Sequence, residues 1–415
     1  MRNIIIILLL LIHMASQAQN PVDPYLELAA SNNPMLKAKF NDFMASLETI
    51  PQARGLTDPK LAFGYFIQPV ETRVGAQRAS IGITQTFPWF GTLKAKEDVA
   101  CQVAEAKLIS FQEAKLKLYK EVRVAYSELY YLKRAVRLTE ENLLVLRSFK
   151  ELARVNFESG KTGFVSVLRV EMEEKELEAK LAQLRDSQRS ALIDFENLIN
   201  VSLDQPIFLP DSLESVKLDY QTSTLFDSLE AKNLQLKELS YLSDAKKEEM
   251  EVARMMSLPA LSVGVNYIFV DDRTDMDVPD NGKNAFLFPQ IGMSIPIFQK
   301  KYQAMQNQAN LQHERIQYQI EDKSNQLSSQ LEFLIRDYTD GRRRKELYLN
   351  LHDLAEISLS LIQTEFTTGK TNFEEVLRME RKLLTYQLAM ERARVDINNA
   401  VYKINYLLGN EKIKY

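Results

Sequence analysis

The sequence predicts a mainly α fold with a small β part, built as an internal tandem repeat. Three observations predict it. The stretch FESGKTGFVSVL, starting at Phe157, returns as FTTGKTNFEEVL at Phe366. The match holds from Gly160/Gly369, Lys161/Lys370 and Phe164/Phe373 to Leu198/Leu407, always 209 residues apart. Asn33, Leu36, Pro59 and Gly64 return as Asn233, Leu236, Pro259 and Gly264, 200 residues apart. Proline is missing between Pro88 and Pro206 and again after Pro296, where charged, apolar and alanine residues follow one another with helical periodicity. Agreement at so many fixed spacings marks a duplication.

The chain divides accordingly. Residues 1–18 hold Arg2, an apolar run over 4–11, and Ser16 and Ala18. This is the pattern of a cleaved secretory signal, and the run is short for an uncleaved anchor. The first repeat is expected over 19–200, a linker over 201–223 and the second repeat over 224–415. Beyond the signal no apolar run is long enough to span a bilayer as a helix, so entry into a membrane would require strands. The formal net charge of −4 does not suggest nucleic acid, and Cys101, the only cysteine, has no internal disulfide partner.

Each repeat reads helix, β-hairpin, long helix, turn, helix. The first opens with a helix over 23–47. A strand over 61–67 alternates Leu61, Phe63, Tyr65 and Ile67. A loop over 68–77 leads to a strand over 78–87, with Ile81, Ile83 and Phe87 in alternation. Pro88 stops it, and proline suits the first position of a helix, where its missing N–H costs nothing. Helices follow over 89–158 and 164–200. The second repeat predicts a helix over 225–257, a strand over 261–269, a longer loop over 270–284, a strand ending before Pro296, and helices over 297–365 and 373–408. Gly341 predicts a local bend or thinning of the long helix. Gly160 and Gly369 are expected left-handed C-caps, and a Thr or Asn before the next run can act as its N-cap.

A helix of about 70 residues spans about 100 Å and needs partners along its length. The helix over 164–200 covers about half of it, and the helix after the linker, 225–257, matches the other half. In the same way 373–408 continued by 23–47 would close a ring. Val376, Leu383, Met390, Ile397 and Ile404 recur every seven residues, with Met379, Tyr386, Ala393, Ala400 and Leu407 as the companion row. The first copy keeps Val170, Leu177, Leu184, Ala191 and Leu198, but its other row mixes Glu174 and Gln188 with Val167, Leu181 and Phe195. A coiled-coil seam and an ordinary bundle core fit these rows equally.

The strands alternate apolar residues with small or polar ones, among them Gly64, Gly82, Thr84, Ser262, Asn266 and Ser294. That suits a wall with one greasy and one wet face. Phe87, Trp89, Phe90, Phe269, Phe286, Phe288 and Phe298 gather near the strand ends, as in the girdles at a membrane boundary. Four strands cannot close a membrane barrel, so lipid-facing strands would have to be pooled between chains, and three chains give twelve. A small soluble sheet is the alternative. It accounts for the strands but not for their coupling to two long helices.

With these residues in place, the chain resembles the TolC-type outer-membrane efflux channels over nearly its whole mature length. The resemblance rests on the duplicated plan, the strand-to-helix corner ITQTFPWFG and the segments FESGKTGFVSVLRVE and FTTGKTNFEEVLRME. It implies a homotrimer: a twelve-stranded barrel in the outer membrane, four strands per chain, continued by a long α-helical coiled-coil barrel into the periplasm. It implies a passive duct for efflux or type I secretion that does no chemistry. A periplasmic adaptor protein docks at the turns and joins the duct to an inner-membrane pump. By position the docking tips are Gly160, Lys161, Thr162, Gly163 and Phe164, with Gly369, Lys370, Thr371, Asn372 and Phe373. The pore constriction falls to Glu374 and Glu375, with Arg378 and its counterpart Arg169 where a second acid often stands in the family. Glu375 and Arg378, three apart, pair on one helix face or stand as separate surface charges. Pro88, Trp89 and Pro296 mark the strand-to-helix corners. The other reading kept open is a periplasmic adaptor, which has one helical hairpin between two halves of a small β-domain.

Other motifs give little. His313 and His352 have no Cys or His nearby, so no metal site is expected. Asp271, Asp272, Asp275, Asp277 and Asp280 form an acidic loop without the closing glutamate of a calcium loop, and read as a solvated hairpin end. Residues 342–345, a short basic run, read as a solvated face. No phosphate loop, nucleophile elbow or other catalytic set appears, and no cofactor is implied.

Overall fold

A computed structural model describes residues 21–203, 205–216, 218, 222–281, 286–367 and 373–410. The elements run α1 (Asp23–Asn32), α2 (Pro34–Arg54), β1 (Lys60–Thr72), β2 (Gly75–Phe87), α3 (Thr92–Glu158), α4 (Phe164–Ile199), α5 (Thr222–Lys232), α6 (Leu234–Met256), β3 (Ala260–Val270), β4 (Phe286–Ser294), α7 (Gln299–Thr367) and α8 (Phe373–Leu407). They fall into two compact units. Of the described residues, one takes those up to Ala38, those of Phe111–Leu234 and those from Ser324 on; the other takes those of Lys39–Ser110 and Gln235–Lys323.

The second unit holds the sheet. Its four strands are antiparallel in the order β1-β2-β3-β4, so the hairpins of the two repeats lie side by side, joined through β2 and β3. The register sorts the faces. Phe63 pairs with Ile81, Ile81 with Tyr267, and Leu61 with Ile83, which pairs with Val265. The intervening row runs Ala62, Gly82, Asn266 and Phe288. Apolar residues thus share one face, and small or polar ones the other, as the alternation predicts. The apolar face is bare: Phe63 and Tyr65 are 75 % exposed and Ile291 85 %. Phe288 departs from expectation, because its register puts it in the row of Gly82 and Asn266 and away from an outer girdle. The strands of the first hairpin are longer than predicted and absorb most of the expected loop. Gly75 makes the turn at φ +133, where a Cβ would lie 1.6 Å from the Asp271 carbonyl oxygen.

Neither proline opens a helix. Pro88 is followed by a corner in which Gly91 takes φ +87 and Thr92 N–H bonds the Trp89 carbonyl at 3.0 Å, and α3 begins only at Thr92. Likewise α7 begins at Gln299, three residues past Pro296. At the first corner the left-handed Gly91 therefore sits between the end of the strand and the start of the helix.

In the first unit, Val22, Leu26 and Ala29 of the α1 region pack on Val122, Tyr126, Phe195 and Ile199 of α3 and α4. The single helix expected over 23–47 is two. Pro34 disfavours a helical conformation at the residue before it, and Asn33 takes ψ 121. Asn33 Oδ1 then accepts the Leu36 N–H at 3.1 Å as an N-cap, while its Nδ2 donates to the Leu198 carbonyl at 3.1 Å. The repeat does this again: Asn233, between α5 and α6, donates to the Leu407 carbonyl at 2.8 Å. These bonds correct the end-to-end pairing expected from helix lengths. The end of each returning helix meets the helix junction of its own copy, not that of the other. Length alone could not choose, since both arrangements fit.

The returning helices end in left-handed residues at the same repeat position, Asn200 (φ 52) and Gly409 (φ 67). A Cβ on Gly409 would stand 2.6 Å from the Lys232 carbonyl oxygen. We expect Gly409→Ala to lower the thermal midpoint of the detergent-solubilised protein, since the left-handed conformation alone costs about 1–2 kcal/mol. Gly409→Asn tolerates that conformation but keeps the clash, so a partial rescue measures the strain and the remainder measures the collision.

Gly341 does not interrupt α7. It lets α8 come close, with a Cβ there lying 2.9 Å from Ile397 Cγ1. The basic run beside it is not a plain solvated face. Arg344 reaches Asp340 at 2.8 Å and Asp396 at 3.0 Å, and Lys345 donates to Ser215 of the linker at 2.9 Å. Asn398 holds the same linker by accepting the Val216 N–H and donating to the Glu214 carbonyl, each at 2.8 Å.

Candidate functional site at the helix turns

The first turn follows from its glycines. α3 ends at Glu158, and Gly160 adopts φ +71, the left-handed cap expected of it. Lys161 and Thr162 then donate their N–H groups to the Asn156 carbonyl at 2.9 and 3.3 Å. The N-cap of α4 is Gly163, with no side-chain cap; Thr162 does not supply one, and its Oγ1 is buried without a hydrogen-bond partner. An extended glycine (φ −76, ψ 156) lets the chain re-enter a helix within three residues. The Phe157 and Phe164 rings close the turn, with centroids 5.3 Å apart. Of the second turn, Gly369, Lys370, Thr371 and Asn372 lie outside the described residues.

The two copies converge just beyond the turns. Val167 and Val170 of α4 pack with Phe373 and Leu377 of α8 and with Leu146 and Ala153 of α3. Phe149 meets the Phe373 ring edge-on at 5.7 Å, and Phe366 lies 5.4 Å from it. The copies are therefore not equivalent. Phe373 is a 4 % exposed core residue, whereas Phe164 is 52 % exposed. Identical types at identical repeat positions gave no hint of this.

Of the four residues expected at the constriction, Arg169, Glu374 and Arg378 are exposed and Glu375 is half-buried, and they form two pairs. Arg169 of α4 pairs with Glu374 of α8, and Arg378 pairs with Glu375 along its own helix. The second pair is the i, i+3 contact considered from sequence. A third pair, Arg381 with Glu173, again joins α8 to α4 and was not foreseen. Such exposed pairs contribute about 0–1 kcal/mol each. The apolar seam holds the copies together, and the charges set a rim that yields easily.

Behind the first turn, Glu174 explains the mixed seam. It accepts from Lys150 at 3.0 Å and Arg147 at 3.1 Å. The Lys150 bond, followed by Arg147, holds its carboxyl below the usual range, and the two cations are raised in return. Glu380, the repeat counterpart of Glu171, is buried, and burial pushes its carboxyl up. His352 is less isolated than its sequence neighbours suggested, with Asp353 and Glu356 grouped around it.

No described helix is long and apolar enough to cross a membrane. A family model described as outer membrane efflux protein matches residues 25–201 and 225–410. Comparison with curated protein sequences gives no match. Among solved structures, the outer-membrane channel OprN aligns over 94% of this chain and 90% of its own, with TM-score 0.79 and 16% identity. CusC, described in terms of transmembrane channel formation, aligns over 95% and 96% with TM-score 0.79 and 16% identity. The Campylobacter jejuni CmeC outer membrane channel aligns over 94% and 86% with TM-score 0.74 and 12% identity. At such identities the likeness speaks for the fold. The family model says more, because it matches once in each copy of the repeat and takes in most of the chain: the protein belongs to the outer membrane efflux protein family.

Proposed function

We propose that three copies of this chain form the outer-membrane exit duct of a tripartite efflux or type I secretion machine. One observation supports it above the rest: a four-stranded antiparallel sheet with a bare apolar face, in which β1 and β4 are each paired on one side only among the described residues. In lipid each unpaired backbone group costs several kcal/mol, so the edges must meet those of other copies. Four antiparallel strands per chain keep the up-down alternation unbroken wherever β4 meets the next β1. Two chains would give eight strands, a barrel whose interior side chains fill; three give twelve and leave a lumen. Apolar side chains at helical spacing on α7, namely Leu354, Ile357 and Leu361, are about 60% exposed and suit burial between chains.

In this reading residues 1–18 are a removed leader, the repeats are 19–200 and 224–415, and 201–223 is an equatorial linker. The corners marked by Pro88, Trp89 and Pro296 join the membrane barrel to a helical barrel that extends into the periplasm. The turns at Gly160–Phe164 and Gly369–Phe373 are docked by a periplasmic adaptor that connects to an inner-membrane pump. The Arg169–Glu374 and Glu375–Arg378 pairs stand at the constriction and are weak enough for docking to part them. The periplasmic-adaptor alternative needs a single helical hairpin, and this chain has two. The test is an unheated outer-membrane fraction on a denaturing gel. We expect a heat-modifiable band of about three chain masses, and a soluble periplasmic monomer would overturn the reading.

A further inference from the structure

His352 of α7 lies among three side chains, two of which stand beside one ring nitrogen at the spacing of a metal shell. Its Nδ1 is 3.5 Å from an Asp353 carboxylate oxygen. Its Nε2 is 3.7 Å from Glu356 Oε1, one helical turn on, and 3.1 Å from the side-chain amide of Gln387 on α8. The imidazole itself is only 16% exposed, so its ring is held, while both carboxylates open to solvent. We propose that this cluster is a divalent transition-metal site of the zinc class, bridging α7 and α8.

The argument is geometric. Donors about 2.0–2.1 Å from a tetrahedral zinc are about 3.3 Å from each other, and the two contacts at Nε2 fall either side of that value. With Nδ1–H directed at Asp353, Nε2 carries the lone pair, and a carboxylate on the far nitrogen is the usual device for orienting a ligating histidine. Histidine and glutamate four apart on a helix put both donors on one face. A half-turn of the Gln387 amide exchanges Nε2 for Oε1 at the same place, which supplies a third donor from the second helix. The open side of the cluster leaves the fourth position to water. Imidazole with oxygen donors suits zinc, copper or nickel better than calcium or magnesium. An ion here ties the long helix to the returning helix about four turns before α7 ends. This assignment does not depend on the channel reading.

The test uses the full-length protein in detergent, stripped of metal and titrated with zinc against a chromophoric chelator. We expect one ion per chain, lost with His352→Ala and weakened tenfold or more with Glu356→Gln, while the heat-modifiable oligomer is retained as the check on folding. Gln387→His should tighten binding, because it replaces a weak donor with a strong one at the same place. No zinc uptake by the unaltered protein, or uptake unchanged in His352→Ala, overturns the site. Unchanged affinity in Gln387→His overturns the bridge to α8.

Discussion

Replacing Phe63 by arginine is expected to remove the assembled protein from the outer membrane. Phe63 belongs to the row Phe63, Ile81, Tyr267, which crosses the middle of β2 on the apolar face. It is 75 % exposed in the single chain, so the loss cannot come from a disturbed core. An arginine facing lipid near the bilayer mid-plane costs about 2–4 kcal/mol, and three copies in one barrel bring that to about 6–12 kcal/mol. That is comparable with the whole stability of a typical domain. The control is Thr84→Lys. Thr84 pairs with Lys60 and Gly264 on the opposite face, where the chain already carries a lysine. Heat-modifiable oligomer should vanish from the membrane fraction with Phe63→Arg and persist with Thr84→Lys. Equal behaviour of the two variants would mean that the sheet does not separate lipid from water.

That contrast was legible in the sequence because side chains on a strand alternate strictly, so faces follow from counting. The duplicated plan was legible for a similar reason, since fixed spacings survive where identities drift. What escaped was decided by contacts between distant segments. Asn33 and Asn233 were visible as a repeated pair, but their bonds to Leu198 and Leu407 depend on which helix end stops beside them. The different burial of Phe164 and Phe373 depends on packing between the copies. Asp353 and Glu356 stand beside His352 in the sequence, whereas Gln387 reaches it only because α8 packs on α7. At the first corner Pro88 only ends the strand, and the left-handed residue is Gly91, whose φ no local pattern announces.

Replacing Gly160 and Gly369 together by leucine is expected to abolish export while leaving the oligomer intact. Gly160 holds φ +71, and an L side chain in that region costs about 1–2 kcal/mol per residue. Nothing lies within 4 Å of a Cβ there, so the cost stays in the turn and does not spread to the core around Phe373. Gly369 stands at the matching place of the second repeat, 209 residues on. Such a variant changes two things at once, the path of the turn and the surface it offers to an adaptor. Gly163 separates them. It has an extended backbone that any residue adopts, and a Cβ there also meets open space. Gly163→Ala should therefore export normally, whereas Gly163→Trp adds bulk to an undistorted turn. If the turns are where an adaptor sits, Gly163→Trp loses export as the glycine pair does, with normal oligomer on a denaturing gel. If only the Gly160/Gly369 variant fails, the shape of the turn governs opening and the docking surface lies elsewhere on the helices. Export unchanged in both would remove the turns from the mechanism.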